Sequence, residues 1–238
     1  MAVSPLPELE AVAWRRPTDD PALRWRERIS AAYITLYVTP LLIVAVVMVL
    51  ISPVLLPASL VALFLAWVVP ELFANRGAVV MRMSRGRDGA AERVAQGLLG
   101  DLLGHEAREL QARTALALER GRLGVWLVGE AGALLVRPGG RRVHSFCVRA
   151  SDPGLPRSDR IAHLLLALRE DEVGFATVAN HAFTGAVWRM RRRIPAVRRP
   201  ALDAAVAAAR RQEVGVYRPL PASPQKVGEQ VGGNGTVT

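Results

Sequence analysis

Five side chains in this sequence could do proton-transfer, nucleophilic or metal chemistry: His105, His144, His163, His181 and the only cysteine, Cys147. A Cys–His catalytic pair needs a thiolate held accessible beside an imidazole. Cys147 with His144 or His181 is the candidate pair, a Cys/His-dependent enzyme being one reading. Against it, Cys147 sits in an apolar run (VHSFCVR, Val143–Arg149), and free cysteine is more often a small buried hydrophobe than a nucleophile. No HExxH, CxxC or HxH spacing is present, and His105 and Glu106 are adjacent rather than spaced along one helix face, so no metal site is expected. No GxGxxG or Walker sequence occurs, and no cofactor is expected.

A second group is cationic. Thirty of the 31 basic residues are arginine, Lys226 being the exception, and the net charge is +10. The excess is uneven. Residues 1–28 carry five Arg against five acidic side chains, whereas residues 184–218 carry nine Arg against Asp203 and Glu213. Arg189, Arg191, Arg192, Arg193, Arg198 and Arg199, with Trp188 among them, form the expected basic surface. Such a surface can neutralise nucleic-acid phosphates with a steep salt dependence. It can also lie on anionic lipid, worth about 1 kcal/mol per basic residue. The third reading is a solvated basic face with no ligand.

All of these must be positioned relative to one stretch. From Ile29 to Pro70 there is no charged side chain. A transmembrane helix needs about 20 apolar residues, and this run is twice that, with Ser52, Pro53 and Pro57 near its middle. It predicts a transmembrane helical hairpin: one helix from Ile29 to about Ile51 carrying Pro40, and a second from Leu55 or Pro57 to Phe73. Trp25, Tyr33, Trp67 and Glu71 are the expected membrane-interface residues, with Glu71 a solvated carboxylate at the boundary. Arginines flank both outer ends (Arg24, Arg26, Arg28; Arg76, Arg82, Arg85, Arg87) and the connecting turn has no charge. The positive-inside rule then puts both termini in the cytoplasm. The Ala- and Arg-rich composition fits a bacterial chain at the cytoplasmic (inner) membrane. A cleaved signal peptide is not expected, because the charged lead is too long and the apolar run far exceeds an h-region. A single cysteine allows no disulfide framework, in keeping with a reducing cytosol.

The remaining elements follow from periodicity. The expected organisation is a cytoplasmic N-terminal segment 1–28, the hairpin 29–74, a basic connector 75–89, a cytoplasmic α+β domain 90–183, a basic segment with an Ala-rich helix 184–217, and a disordered tail 218–238 rich in Pro, Gly and Ser. Within the domain, Val94, Leu98, Leu102 and Leu103 recur at helical spacing and predict one long helix from Ala90 to about Arg120. Leu123–Val128, Ala133–Val136 and Val143–Arg149, separated by Gly-rich turns, predict a three-stranded antiparallel meander. Ile161, Leu164, Leu165 and Leu168 predict a helix capped by Ser158, and Val173–Val178 predicts a fourth strand. Pro200 at the first turn opens a helix to about Gln212. The fold class is α+β: helix, three-stranded antiparallel meander, helix, strand, behind a two-helix transmembrane hairpin.

The stretch WLVGEAGALLVRPGG (Trp126–Gly140) resembles the strand–turn–strand of nuclease-related domains found in some bacterial membrane proteins. The order helix, three strands, helix, strand is shared by the restriction-endonuclease-like core. The resemblance covers fifteen residues. It implies a metal held by an acidic residue on one strand and an Asp/Glu-x-Lys triplet on the next. Here Ser145, Cys147 and Arg149 stand where that triplet would be, so the resemblance implies an inactive copy and does not assign the family.

Taken together, the residues predict a non-enzymatic, membrane-anchored binding or scaffolding module, with the lipid bilayer and a cytoplasmic protein of unknown identity as partners. Membrane confinement would raise the effective concentration of the domain for partners at the same surface. The alternative is a nucleic-acid-handling accessory protein, for DNA transfer or positioning. A small oligomeric transporter would require Glu71 to matter for ion flux.

Overall fold

The computed structural model describes residues 8–81, 89–148 and 154–214. The expected disordered tail, residues 82–88 of the connector and Arg149 lie outside the described residues.

A short helix α1 (Glu8–Ala11) precedes α2 (Asp20–Ile51), which starts well before the uncharged run. Asp19 caps it, its side chain accepting from the Ala22 amide at 3.0 Å, and Pro21 occupies a first-turn position where no amide is needed. Residues 20–28 of the N-terminal segment are therefore helical and continuous with the apolar stretch. At 32 residues, α2 is about 48 Å long. Ser52 ends it in extended backbone, a 3-10 turn (Pro53–Leu55) reverses the chain, and α3 (Leu56–Val79) returns.

Where α2 and α3 pack along their apolar lengths, the buried residues are small: Ala45 on α2, and Ser59, Ala62 and Ala66 on α3. Ser59 Oγ donates to the Ala45 carbonyl at 2.9 Å. Small residues let helix backbones approach closely. The large apolar side chains, among them Val46, Val47, Leu50, Phe64, Leu65 and Trp67, point outward and are exposed. Both helices are long and apolar enough to cross a membrane.

The helix expected from Ala90 to Arg120 is three elements: α4 (Ala90–Leu102), α5 (His105–Thr114) and β1 (Ala117–Arg120). Leu103 and Gly104 are extended and break the helix. Ala115, in the left-handed region at φ 53°, ends α5. β1 opens a sheet with β2 (Val125–Gly129), β3 (Gly132–Val136), β4 (Arg142–Cys147) and β5 (Asn180–Ala186). The strand order is β1-β2-β3-β4-β5 and every pair is antiparallel. Gly129 pairs with Gly132 across a two-residue turn, and Gly139 and Gly140, both at positive φ, shape the turn between β3 and β4.

Between β4 and β5 lie α6 (Arg157–Glu170) and α7 (Glu172–Val178). The segment expected to be the fourth strand is thus a helix. Asp171 caps it, accepting from Gly174 N at 2.8 Å. The Glu172 carboxylate accepts from the Arg122 and Leu123 amides and from Trp126 Nε1, pinning the first turn to the sheet. Capping and these three bonds override the β-propensity of Val173, Phe175 and Val178. Ser158 does not cap α6: Pro156 holds that position, and Ser158 donates instead to Glu92. Four sequential strands ahead of the α6–α7 pair replace the helix, three strands, helix, strand order of a restriction-endonuclease-like core. The described residues close with α8 (Val187–Arg193), a 3-10 turn (Ala196–Arg198) and α9 (Arg199–Val214).

Alternate residues along β2 and β3 feed two cores on opposite faces of the sheet. Val125, Leu127, Leu134 and Val136 meet Ala201, Leu202, Ala205 and Ala209 of α9, together with Ala74, Ala78, Val80 and Met81 at the end of α3. Trp126, Val128, Leu135 and Phe146 meet Leu99 of α4, Ile161, Leu165 and Leu168 of α6, Phe175 of α7, and Leu23 of α2. The two long helices thus hold the β5 side of the sheet from both faces. Both contact β5, the edge strand, and Ser30 Oγ of α2 donates to its Thr184 carbonyl at 3.0 Å.

Candidate functional site

The polar groups of the molecule converge where the first turns of α2 cross β4 and β5. Asp20 and Glu27 lie two turns apart on α2 and face Arg137, which is buried just past β3. Arg137 donates through Nη2 to Asp20 and through Nη1 to the Leu123 carbonyl at 2.7 Å, and its Nε lies 3.6 Å from Glu27 Oε1. The same Glu27 oxygen is 3.0 Å from His144 Nε2. His144 Nδ1 is 2.8 Å from Thr184 Oγ1, and Thr184 Oγ1 is 2.7 Å from His181 Nε2.

One proton assignment satisfies this row with both imidazoles neutral. His144 donates Nε2–H to the Glu27 carboxylate and accepts the Thr184 hydroxyl proton at Nδ1, while His181 donates Nε2–H to Thr184. Burial favours neutrality. It pushes the fully buried His144 below its ordinary value against the opposing pull of Glu27. Burial, followed by the competing protonation of the neighbouring His144 and by the Arg26 charge, takes His181 down to about 3. For Glu27, burial pushes the carboxyl up. The His144 hydrogen bond and the Arg137 and Arg142 charges outweigh it and hold the group below its usual range. The row is a satisfied polar network that locks α2 onto the sheet.

Arg26 stands apart. Its Nη1 is buried and has no hydrogen-bond partner, and burial and the charge of Arg15 lower its pKa. Among the described residues, Arg15 is held by neutral groups: the carbonyls of Thr177 and Val178, Asn180 Oδ1, and the Trp14 ring 5.1 Å from its guanidinium.

The structure brings His144 and His181 together and leaves Cys147 out. Ala182 is an extra residue in β5, so Thr184 pairs with His144 while His181 pairs with Phe146. Without this bulge His181 would sit opposite Cys147. With it, His181 shares the face of His144 and Phe146, at ring distances of 5.7 and 5.5 Å. Cys147, half-buried at the end of β4, packs against the other core. His105 and His163 lie on α5 and α6, away from this network. Among the described residues, no three His, Cys, Asp or Glu side chains cluster as metal ligands would.

The six arginines expected to form one basic surface divide. Arg189 and Arg192 stack on exposed Trp188, each 5.0 Å from its ring centroid. Arg191 pairs with Asp203 at 2.8 and 3.0 Å, and Arg193 pairs with Glu71 at 2.9 Å through Nε. Arg199 is half-buried at the start of α9. Arg198 is not on the surface: it is 2% exposed and donates to the Met81 carbonyl at 2.5 Å. Its guanidinium closes the end of α3, a role sequence spacing does not reveal. Glu71, expected to be solvated, is 7% exposed because Arg193 covers it. Trp25, Tyr33 and Trp67 are exposed, and the Tyr33 ring stands edge-on to Phe73 at 5.9 Å.

Sequence reasoning missed Glu27, Arg26, Arg137 and Thr184. The available signal was the alternation Arg24-Trp25-Arg26-Glu27-Arg28 at the mouth of the apolar run, where the lone carboxylate stands among cations. Comparison of the chain with family models, with curated proteins and with solved structures finds no match in any of the three.

Proposed function

We propose that the protein is an integral protein of a bacterial inner membrane, anchored by the α2–α3 hairpin with both termini cytoplasmic. In this reading its α+β domain is a binding or scaffolding module held against the inner leaflet. The supporting observation is the distribution of side chains on the two long helices. Small residues face each other, and the large apolar ones form a continuous exposed surface. A water-soluble monomer rarely exposes contiguous apolar patches beyond a few hundred Å².

The domain is carried rigidly, because α2 and α3 run unbroken from the apolar region into its two cores. Tethering is the mechanism: an orientation-fixed domain meets a cytoplasmic partner at the raised effective concentration of a surface. Trp188 with Arg189 and Arg192 sits on α8, beside the Glu71 end of α3, and would rest on headgroups. The nucleic-acid alternative keeps fewer cations than the sequence offered, since Arg191, Arg193 and Arg198 are engaged within the chain.

The test is alkaline carbonate extraction of membranes combined with accessibility of single cysteines placed at Trp14 and Val54 in a Cys147→Ser background. Retention in the pellet, with Val54 labelled from outside and Trp14 only after permeabilisation, is the expected result. Release into the supernatant as a soluble monomer would sink the reading.

A further inference from the structure

We propose that the crevice between α2, α3 and β5 is a binding site for one phosphate-bearing anionic lipid, with Arg26 taking the headgroup and the wall beyond it taking an acyl chain. The proposal rests on the membrane reading above.

Arg26, Ile29, Ser30, Tyr33 and Ile34 follow one another at i, i+3, i+4, i+7 and i+8, so they form a single face of α2. That face is cationic at its cytoplasmic end and apolar towards the hairpin. It lines a cavity of about 380 Å³, closed on the other side by Phe73 of α3 and by β5. A second cavity of about 360 Å³ extends from the same Arg26 and His181 to Arg15, Arg16 and Asn180. Each volume is in the range of small-molecule sites. The two share Arg26 and His181, so an apolar arm and a cationic arm meet at one guanidinium.

Among the described residues, no carboxylate lines either cavity. Arg15, Arg16 and Arg26 therefore bring three positive charges to the cationic arm with no acidic partner there. Arg15 is oriented by neutral acceptors, and Arg26 carries a buried donor with nothing to donate to. Arg26 is half-buried, but a buried donor left without an acceptor is costly, and an anionic oxygen at its Nη1 would remove that cost. Guanidinium groups match phosphate oxygens in a bidentate fork. The apolar arm, with Ile29, Tyr33, Ile34 and Phe73, selects an amphiphile over a free phosphate ester. Its level at the start of the uncharged run is where inner-leaflet headgroups lie.

The experiment uses the full chain in neutral detergent, titrated with phosphatidylglycerol bearing a fluorescent acyl chain. Equally labelled phosphatidylcholine is the zwitterionic comparator and glycerol 3-phosphate the soluble competitor. The expected result is saturable binding with about a tenfold preference for phosphatidylglycerol. Arg26→Gln should abolish the preference, exposed Arg16→Gln should reduce it about threefold, and the Arg189→Gln/Arg192→Gln double variant should leave it unchanged. Glycerol 3-phosphate should fail to compete at matched concentration. The proposal is overturned if folded Arg26→Gln keeps the preference, if only the double variant loses it, or if glycerol 3-phosphate displaces the lipid equally well. Should Arg26→Gln not fold, Arg16→Gln decides, and an unchanged preference overturns the site. Carbonate extraction reads the membrane assignment separately: a protein that stays in the pellet but shows no Arg26-dependent preference loses the site alone.

Discussion

Thr184 is the residue on which the polar network turns. Its single hydroxyl joins two imidazoles on the same face of the sheet, and with both rings neutral it donates a hydrogen bond to His144 Nδ1 and accepts one from His181 Nε2. Thr184→Val keeps the shape and removes both bonds, leaving two buried ring nitrogens unmet. A loss of about 1–3 kcal/mol in chemical-denaturation stability is expected. A valine variant as stable as the parent would show that the row carries no energy. Acid should act on the same network. His181 has a folded pKa of about 3 against an ordinary 6.5, so only the unfolded chain takes up its proton as pH falls below 6.5. His144 is shifted in the same direction. Stability is then greatest above pH 6.5 and declines as pH falls towards 3, by up to ~2 kcal/mol at pH 5 from His181 alone. Asp20 and Glu27, both held below their ordinary values, add a loss below the usual carboxylate range. Melting temperatures measured from pH 7.5 to 4.5 should fall, and His181→Gln should flatten the upper part of that fall. A melting temperature that rises on acidification would contradict the assignment of neutral histidines.

At the scale of elements, α3 does two jobs. Its first half shows large side chains outward and small ones to α2, and its last turns enter the domain core. Gly77 marks the second job. A Cβ there would lie 2.7 Å from both Phe183 Cβ on β5 and Met190 Cε on α8. The methionine tip can move; the phenylalanine Cβ cannot without shifting its strand. Gly77→Val should therefore cost about 1–3 kcal/mol, read as lower thermal stability in detergent, while Gly97→Val on the open side of α4 should show no such clash. Equal effects at the two positions would refute this close packing. The β5 bulge shows the same dependence on neighbours. Nothing in Asn180–Ala186 announces Ala182 as the extra residue, yet it decides that His181 faces His144 rather than Cys147. The misread α7 has a similar cause, because its Val, Phe and Thr content suits a strand until Asp171 and Glu172 supply caps and anchors.

For the molecule as a whole, the two long helices and the α+β domain share their cores. Leu23 completes one face of the sheet, and Ala74, Ala78, Val80 and Met81 complete the other. A fragment of residues 89–214 loses both sets and the helices that contact β5. We expect it to aggregate or to show little cooperative unfolding, whereas the full chain in detergent melts cooperatively. A soluble fragment with a sharp transition would mean that the domain is independent of the two long helices. The chain by itself determined the hairpin and the presence of a sheet. An uncharged run of twice a membrane's width, and apolar segments punctuated by glycine turns, are local signals that leave few alternatives. Only the tertiary structure decided which cations are free and which histidines meet. Salt bridges such as Arg193–Glu71, the burial of Arg198 and the unpartnered donor of Arg26 join positions up to 122 residues apart or depend on burial. Charge at one position says nothing of its partner until the backbone brings the two together.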